Sequence, residues 1–309
     1  MEEVSDRKVI FNKLKSQLNM KTNRRSFLKN GGAAVASAAL LGSLPIRMFA
    51  STADGPAAKK LSFGFQVWTI KDALIADFGG TLNKMAAMGY SEVEMCSPLG
   101  YSGAGFEPLH HLKNSEMRQI IDDSGLRCTS SHFNVGELRD SLDNRLEWAH
   151  AMGMKQMVLA SFWLEKDASL DGYRKAAQEL NEIAVKTRAA GIQMAYHNHH
   201  MEFERIDNQL VYDVLLEEFD PELVKMQFQV AVFNIGYKAA DYFRAYPGRF
   251  ISAHLSDWSA EKDSQVPIGQ GDIDWDDFFS AAKKSGLKNY FVEMDPATFP
   301  DSAAFLKGI

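Results

Sequence analysis

Eight apolar runs of strand length recur between residues 61 and 294, and nothing else in the sequence restricts the fold so tightly. They are Leu61–Val67, Glu92–Met95, Leu126–His132, Gln156–Ala160, Ile192–Tyr196, Val224–Phe228, Phe250–Leu255 and Tyr290–Met294. Longer charged segments with helical spacing separate them, among them Ser115–Ser124, Leu138–Met152, Tyr173–Ala190 and Trp275–Ser285. Several of these segments stop at a glycine just before the next run: Gly89, Gly125, Gly153, Gly191 and Gly286. A residue without a side chain closes a helix there at little cost. Strand and helix alternating eight times over roughly 250 residues specify an α/β protein, a closed (β/α)8 or TIM barrel. An open doubly wound sheet shares the alternation, but no glycine-rich phosphate turn follows the first run. Gly79-Gly80 comes too late for that and reads as a helix start. No linker or low-complexity stretch divides residues 60–309, which read as one domain.

Three of the runs end on side chains able to bind metal. Tyr196-His197-Asn198-His199-His200, Ser252-Ala253-His254-Leu255-Ser256-Asp257 and Phe291-Val292-Glu293-Met294-Asp295 each place such groups at a carboxyl end. In a parallel barrel those ends converge on one face, where the chemistry of such enzymes sits.

Residues 1–50 stand apart. Thr22-Asn23-Arg24-Arg25-Ser26-Phe27-Leu28-Lys29 reads as a twin-arginine export signal, followed by small apolar residues from Ala33 to Leu44. That run falls short of the about 20 apolar residues a membrane span needs. Cleavage is expected near Ala50 or Ala53, leaving no membrane anchor, and Met20 is a natural start for the signal. The expected location is the periplasm or the exterior. The region holds nine basic and three acidic residues of the chain's 34 and 40, so the remainder carries 25 basic and 37 acidic, a net −12. An acidic body argues against nucleic acid as a partner and leaves a small neutral molecule open. Cys96 ends one run and Cys128 begins the next, at opposite ends of neighbouring parallel strands, so free buried thiols are expected rather than a bridge.

The body resembles the xylose-isomerase-like barrel family of sugar isomerases and epimerases, which includes inosose and dehydroshikimate dehydratases. The resemblance rests on Phe65-Gln66-Val67-Trp68-Thr69, Ser130-Ser131-His132-Phe133, Tyr196-His197-Asn198-His199, Tyr246-Pro247-Gly248-Arg249, His254-Leu255-Ser256-Asp257, Ile268-Gly269-Gln270-Gly271-Asp272 and Val292-Glu293-Met294-Asp295. It implies one divalent metal held by Glu, Asp, His and Glu at the ends of strands five to eight. His254 and Glu293 match two of those positions. His197 replaces the first carboxylate and Gln229, in Gln227-Phe228-Gln229, replaces the Asp. A set of His197, Gln229, His254 and Glu293 carries one formal negative charge where the family set carries three. Hard cations favour several oxygens, whereas imidazoles shift preference toward Mn2+, Zn2+, Fe2+ or Co2+. Glu202 offers a carboxylate nearby.

The resemblance also implies that His199 acts as general acid or base, with Glu293 as its partner in proton transfer. Alternation puts His197 and His199 on one face. Glu94, His132, Trp68 and Asp257 are candidate substrate contacts; Glu92 and Glu94 share a face, which inside a barrel demands partners. Trp163, Phe133 and Trp258 also follow strand ends, where aromatic faces stack on sugar rings or simply pack. Ser256 stands where relatives often carry a lysine, which favours a neutral sugar, keto-sugar or glycoside-derived substrate over a phosphorylated one. The expected function is a metal-dependent sugar isomerase or epimerase, or a lyase if a β-leaving group departs, working through an enediolate. The rival is a sugar-binding barrel without catalysis. A DNA-repair endonuclease would require more metal ligands and a basic face. The sequence leaves a homo-oligomer open.

Overall fold

The computed structural model describes residues 61–309; the expected export signal and its cleavage point lie outside the described residues. Eight parallel strands close into a barrel, each bonded to its neighbours in sequence and the last to the first. They are β1 (Gly64–Gln66), β2 (Glu92–Cys96), β3 (Arg127–Phe133), β4 (Gln156–Leu159), β5 (Gln193–His197), β6 (Val224–Gln229), β7 (Phe250–Leu255) and β8 (Asn289–Val292). Every expected run contains or overlaps its strand. Two short ribbons extend the loops above the barrel, Arg205–Ile206 with Gln209–Leu210 and Asp257–Ser259 with Ser264–Val266.

Helices wrap the barrel. Asn114–Asp123, Leu170–Ala189 and Trp275–Ser285 fall where the periodicity put them. The single helix expected over Leu138–Met152 is two, Val135–Asp140 and Leu142–Met152, broken at Ser141. The first begins early because Asn134 and Glu137 bond reciprocally to each other's backbone N–H, at 2.8 and 2.9 Å, a capping box that fixes a helix start. Gly153 and Gly286 close their helices at φ 77° and 84°, the left-handed backbone expected of them.

Outward-facing residues such as Phe65, Met95, Tyr196 and Phe228 are buried beneath the helices. The inward face is unusually polar for a barrel, where Val, Ile and Leu normally fill the layers. At the amino-terminal end Glu92 accepts from Arg127 Nη2 (2.9 Å), Thr129 Oγ1 (2.9 Å) and Asn289 Nδ2 (2.8 Å). One layer up, Glu94 accepts from Ser130 Oγ (2.6 Å) and Gln227 Nε2 (2.8 Å). Both carboxylates therefore have the partners their burial demands. Gly64 admits this packing: a β-carbon there would lie 2.6 Å from the Glu92 carbonyl oxygen and 2.8 Å from the Phe291 ring. Register shifts insert one extra residue into β3, Thr129 opposite Val93/Glu94, and one into β7, Ile251 opposite Met226/Gln227. Such bulges re-aim the side chains that follow them, here His132 and His254. Cys96 and Cys128 are buried and free.

Candidate active site

The carboxyl ends of the strands surround a cavity of about 270 Å3 lined by Gln66, Trp68, Cys96, Tyr101, His132, Ala160, Trp163, His197, His199 and Glu293. Its three imidazoles cluster with a fourth, that of His254. His132 and His254 stack with ring centres 5.0 Å apart, His197 lies 4.4 Å from His254 and 5.0 Å from His132, and His199 packs edge-on to His197 at 4.9 Å. His132, His197 and His254 are buried and bring one ligand atom each within 4.8 Å of the others. Three imidazoles so disposed are able to bind a metal ion.

Glu94 and Gln227 form the floor. Glu94 Oε2 takes His254 Nε2 at 2.5 Å and lies 3.2 Å from His132 Nε2. Gln227 Oε1 accepts from His132 Nε2 at 2.7 Å, and its amide donates to Glu94 and, at 3.0 Å, to Ser252 Oγ. Glu293 closes the other side, with Oε2 2.9 Å from His254 Nδ1 and 2.7 Å from the donating Gln229 Nε2.

These contacts set the charges. Burial would lower the pKa of His254, but Glu293 and Glu94 on either side raise it to about 9. Burial would raise Glu94 and Glu293; the neighbouring histidines outweigh it and hold both below the ordinary carboxylate value. Burial lowers His199 to about 4, against the pull of Glu293, and pushes His197 well down, helped by the charges of His254, His199 and His132. At neutral pH these shifts make His254 an imidazolium between two carboxylates and leave His197 and His199 neutral.

The structure brings together His197, His199, Gln229, His254 and Glu293, all near one face. His132, expected as a substrate contact, lines the cavity and also joins the metal-capable cluster, and Glu94 lies beneath it, fully buried and turned to its neighbours. Asp257, expected to contact substrate, does not line the cavity. It is fully buried and accepts from Trp275 Nε1 (2.8 Å), Gly269 N (2.9 Å), Gly271 N (3.1 Å) and Trp258 N (2.9 Å), anchoring the loop after the second ribbon. Glu202 supplies no carboxylate to the cluster: Tyr196 Oη donates to it at 2.6 Å and His199 N at 2.7 Å. Phe133 is buried against Trp148 and is packing. Trp68 and Trp163 flank the mouth, 40% and 61% exposed, with Trp163 5.7 Å from His199. Trp163 holds φ 49°, a strained value for a bulky residue.

Gln66, Tyr101 and Gln227 belong to the site and escape a reading of strand ends alone. Gln66 lies two residues from Gly64 and Gln227 two from Gln229, so period-two alternation is the signal that would have found these two, whereas Tyr101 lies in the loop after β2, where no strand pattern reaches.

The chemistry of the donor set suits a cation. His197 Nδ1 and His199 Nδ1 are buried with no hydrogen-bond partner among the described residues, and a lone pair left so is a cost unless something accepts it.

Comparison with known proteins agrees with this architecture. The family described as xylose isomerase-like TIM barrel matches residues 82–309. A sugar phosphate isomerase/epimerase from Parabacteroides distasonis superposes with a TM-score of 0.69 at 21% identity, over 82% of this chain and 98% of that one. The probable 3-DHS dehydratase AsbF of petrobactin synthesis in Bacillus anthracis gives 0.62 at 11% identity, over 80% and 98%. An IolI protein holding a zinc atom gives 0.56 at 16% identity, over 80% and 94%. Such identities establish the shared fold. No curated protein matches the sequence.

Proposed function

Because the chain belongs to the xylose isomerase-like TIM barrel family, we propose that it is a metal-dependent, sugar-active enzyme that moves a proton on the carbon beside a carbonyl of an unphosphorylated sugar, keto-sugar or glycoside-derived compound. Isomerisation or epimerisation follows if the proton returns to carbon, and elimination if a β-leaving group departs. The observation that carries this reading is the composition of one cavity wall. Two proton-accepting groups, neutral His199 and ionised Glu293, stand beside a cluster of imidazoles able to hold a cation. A bound divalent ion supplies positive charge that polarises a carbonyl or adjacent hydroxyl oxygen. Glu293 is fixed by Gln229 and His254. Glu202 fixes the backbone at His199, so both groups approach the cavity from set positions. Trp68 and Trp163 offer apolar faces for a sugar ring at the mouth.

An unphosphorylated substrate is supported by the lining, which among the described residues contains no lysine or arginine. Lys71, beside the lining residue Trp68, lies over its ring at 4.7 Å and donates to Ala104 O at 3.0 Å. The test is proton exchange. Unphosphorylated aldoses, ketoses and keto-glycosides, with their phosphate esters, are incubated with metal-loaded protein in deuterated water and followed by NMR. Deuterium should enter carbon of the unphosphorylated set. Turnover confined to phosphate esters would reverse the substrate class. Binding without exchange would favour the second reading, a sugar-binding barrel, which draws its support from the donation of the Gln229 amide to Glu293.

A further inference from the structure

We infer that the metal ion is held by three imidazoles, those of His132, His197 and His254, and that Gln229 is not among its ligands. The inference rests on the metal-dependent reading above and fixes which side chains serve it. Position supports it first. The three rings form a buried triangle with centres 4.4 to 5.0 Å apart, and their ligand atoms lie within 4.8 Å of one another. They come from β3, β5 and β7, and the extra residues Thr129 and Ile251 lie just before two of them.

Hydrogen bonding beneath the rings supports it independently. Metal-bound histidines characteristically give their other ring N–H to a carboxylate or carbonyl, which fixes the tautomer. Here one floor serves two of the three. His254 Nε2 is held by Glu94 and His132 Nε2 by Gln227 and Glu94, while His254 Nδ1, 2.9 Å from Glu293, would give up its proton to the arriving ion. Among the described residues His197 Nδ1 is buried with no hydrogen-bond partner, and no hydrogen bond engages Nδ1 of His132. Glu94 and Gln227 are thus placed as the outer partners of a three-histidine site, bonded to each other at 2.8 Å.

The Gln229 amide is turned the wrong way for a ligand. A carboxamide binds a cation through oxygen, and Gln229 Oε1 accepts from Ala231 N at 3.3 Å while Nε2 donates to Glu293. Its work is to position Glu293. Three nitrogen donors favour a borderline ion such as Zn2+ or Co2+ over Mg2+ or Ca2+.

The experiment uses the chain stripped with chelator and reloaded with Zn2+ or Co2+. Zinc X-ray absorption on the unaltered protein counts imidazoles directly: three are expected, and a count of two, His197 and His254 with oxygen donors, would overturn the inference. Zn2+ affinity is then measured by chelator competition. His132→Ala should weaken it by more than the roughly 10–100-fold that loss of an outer partner costs, and Gln229→Ala should leave it close to the starting value. The reverse pattern sinks the three-histidine site. Thermal melts of both metal-free variants separate loss of a ligand from loss of the fold, and the imidazole count stands even if His132→Ala does not fold. Failure of the unaltered chain to take up Zn2+, Co2+ or Mn2+ would instead remove the metal-dependent reading itself.

Discussion

His197 and His199 sit two residues apart on one face yet meet different surroundings. Both line the cavity, but His197 packs against His132 and His254, whereas His199 faces Trp163. Replacing His199 with Asn should therefore leave metal content intact and cut turnover by roughly 10²–10⁴-fold, the usual worth of a general acid or base. Replacing His197 with Asn should lower metal content first, with activity following. Metal lost from the first variant and kept by the second would exchange the roles. Glu202 acts one step removed, through the bond from His199 N. Glu202→Ala should reduce kcat at unchanged metal content, and it should destabilise the fold by about 1–3 kcal/mol by leaving the buried Tyr196 hydroxyl short of an acceptor. Paired thermal melts and kinetics separate those effects. Restoration of kcat by Glu202→Gln, which can still accept from His199 N, would assign the loss to positioning.

At the scale of elements, the capping box at Val135–Asp140 carries a pH dependence. Burial raises the Glu137 carboxyl to about 7 from its ordinary 4.5, against hydrogen bonds from Ser97 and Asn134 and the charge of Arg145. The folded state then holds a proton that the unfolded chain releases, so this group's stabilising contribution is complete below pH 4.5 and is lost as pH rises toward 7. The loss is at most roughly 3 kcal/mol. Glu137→Gln keeps a capping side chain without the titration, and its melting temperature should fall less than that of the unaltered protein between pH 4.5 and 7.5. Equal slopes would show that Glu137 titrates normally. The strands themselves were legible because each joins an apolar outer face to a carboxyl end rich in polar groups, as at Tyr196-His197 and Val292-Glu293. Helix limits were legible where glycine closes them, at Gly153 and Gly286. The break at Ser141 was not, because the sequence on both sides keeps helical spacing. The partners of Glu94 were also hidden. It meets residues from β3, β6 and β7, up to 160 positions away, and only closure of the barrel joins them. The same closure set His132, expected as a substrate contact, both on the cavity wall and in the imidazole cluster, and it placed Asp257 under a loop rather than in the cavity.

On the scale of the whole molecule, a barrel with a polar interior trades apolar layers for a network in which every member needs its partner. The carboxylates, amides and imidazoles that line the lumen serve folding and chemistry together. We propose that residues 22–29 direct this barrel across a membrane in the folded state. A fusion of residues 20–55 to a reporter should leave the cytoplasm only by the twin-arginine route, and changing Arg24 and Arg25 together to Lys should hold it inside. Export that survives the double change would refute the signal. The two tryptophans at the mouth carry a practical consequence of their own. Of the five tryptophans, Trp148 and Trp275 are buried and Trp258 is half-buried, while Trp68 and Trp163 are exposed on either side of the cavity. The red edge of the intrinsic emission therefore comes largely from the rim. A ligand that settles between those indoles should shift the spectrum to the blue and shield it from iodide, so the protein carries an optical gauge of its own occupancy that reads binding without a label and before any reaction is known.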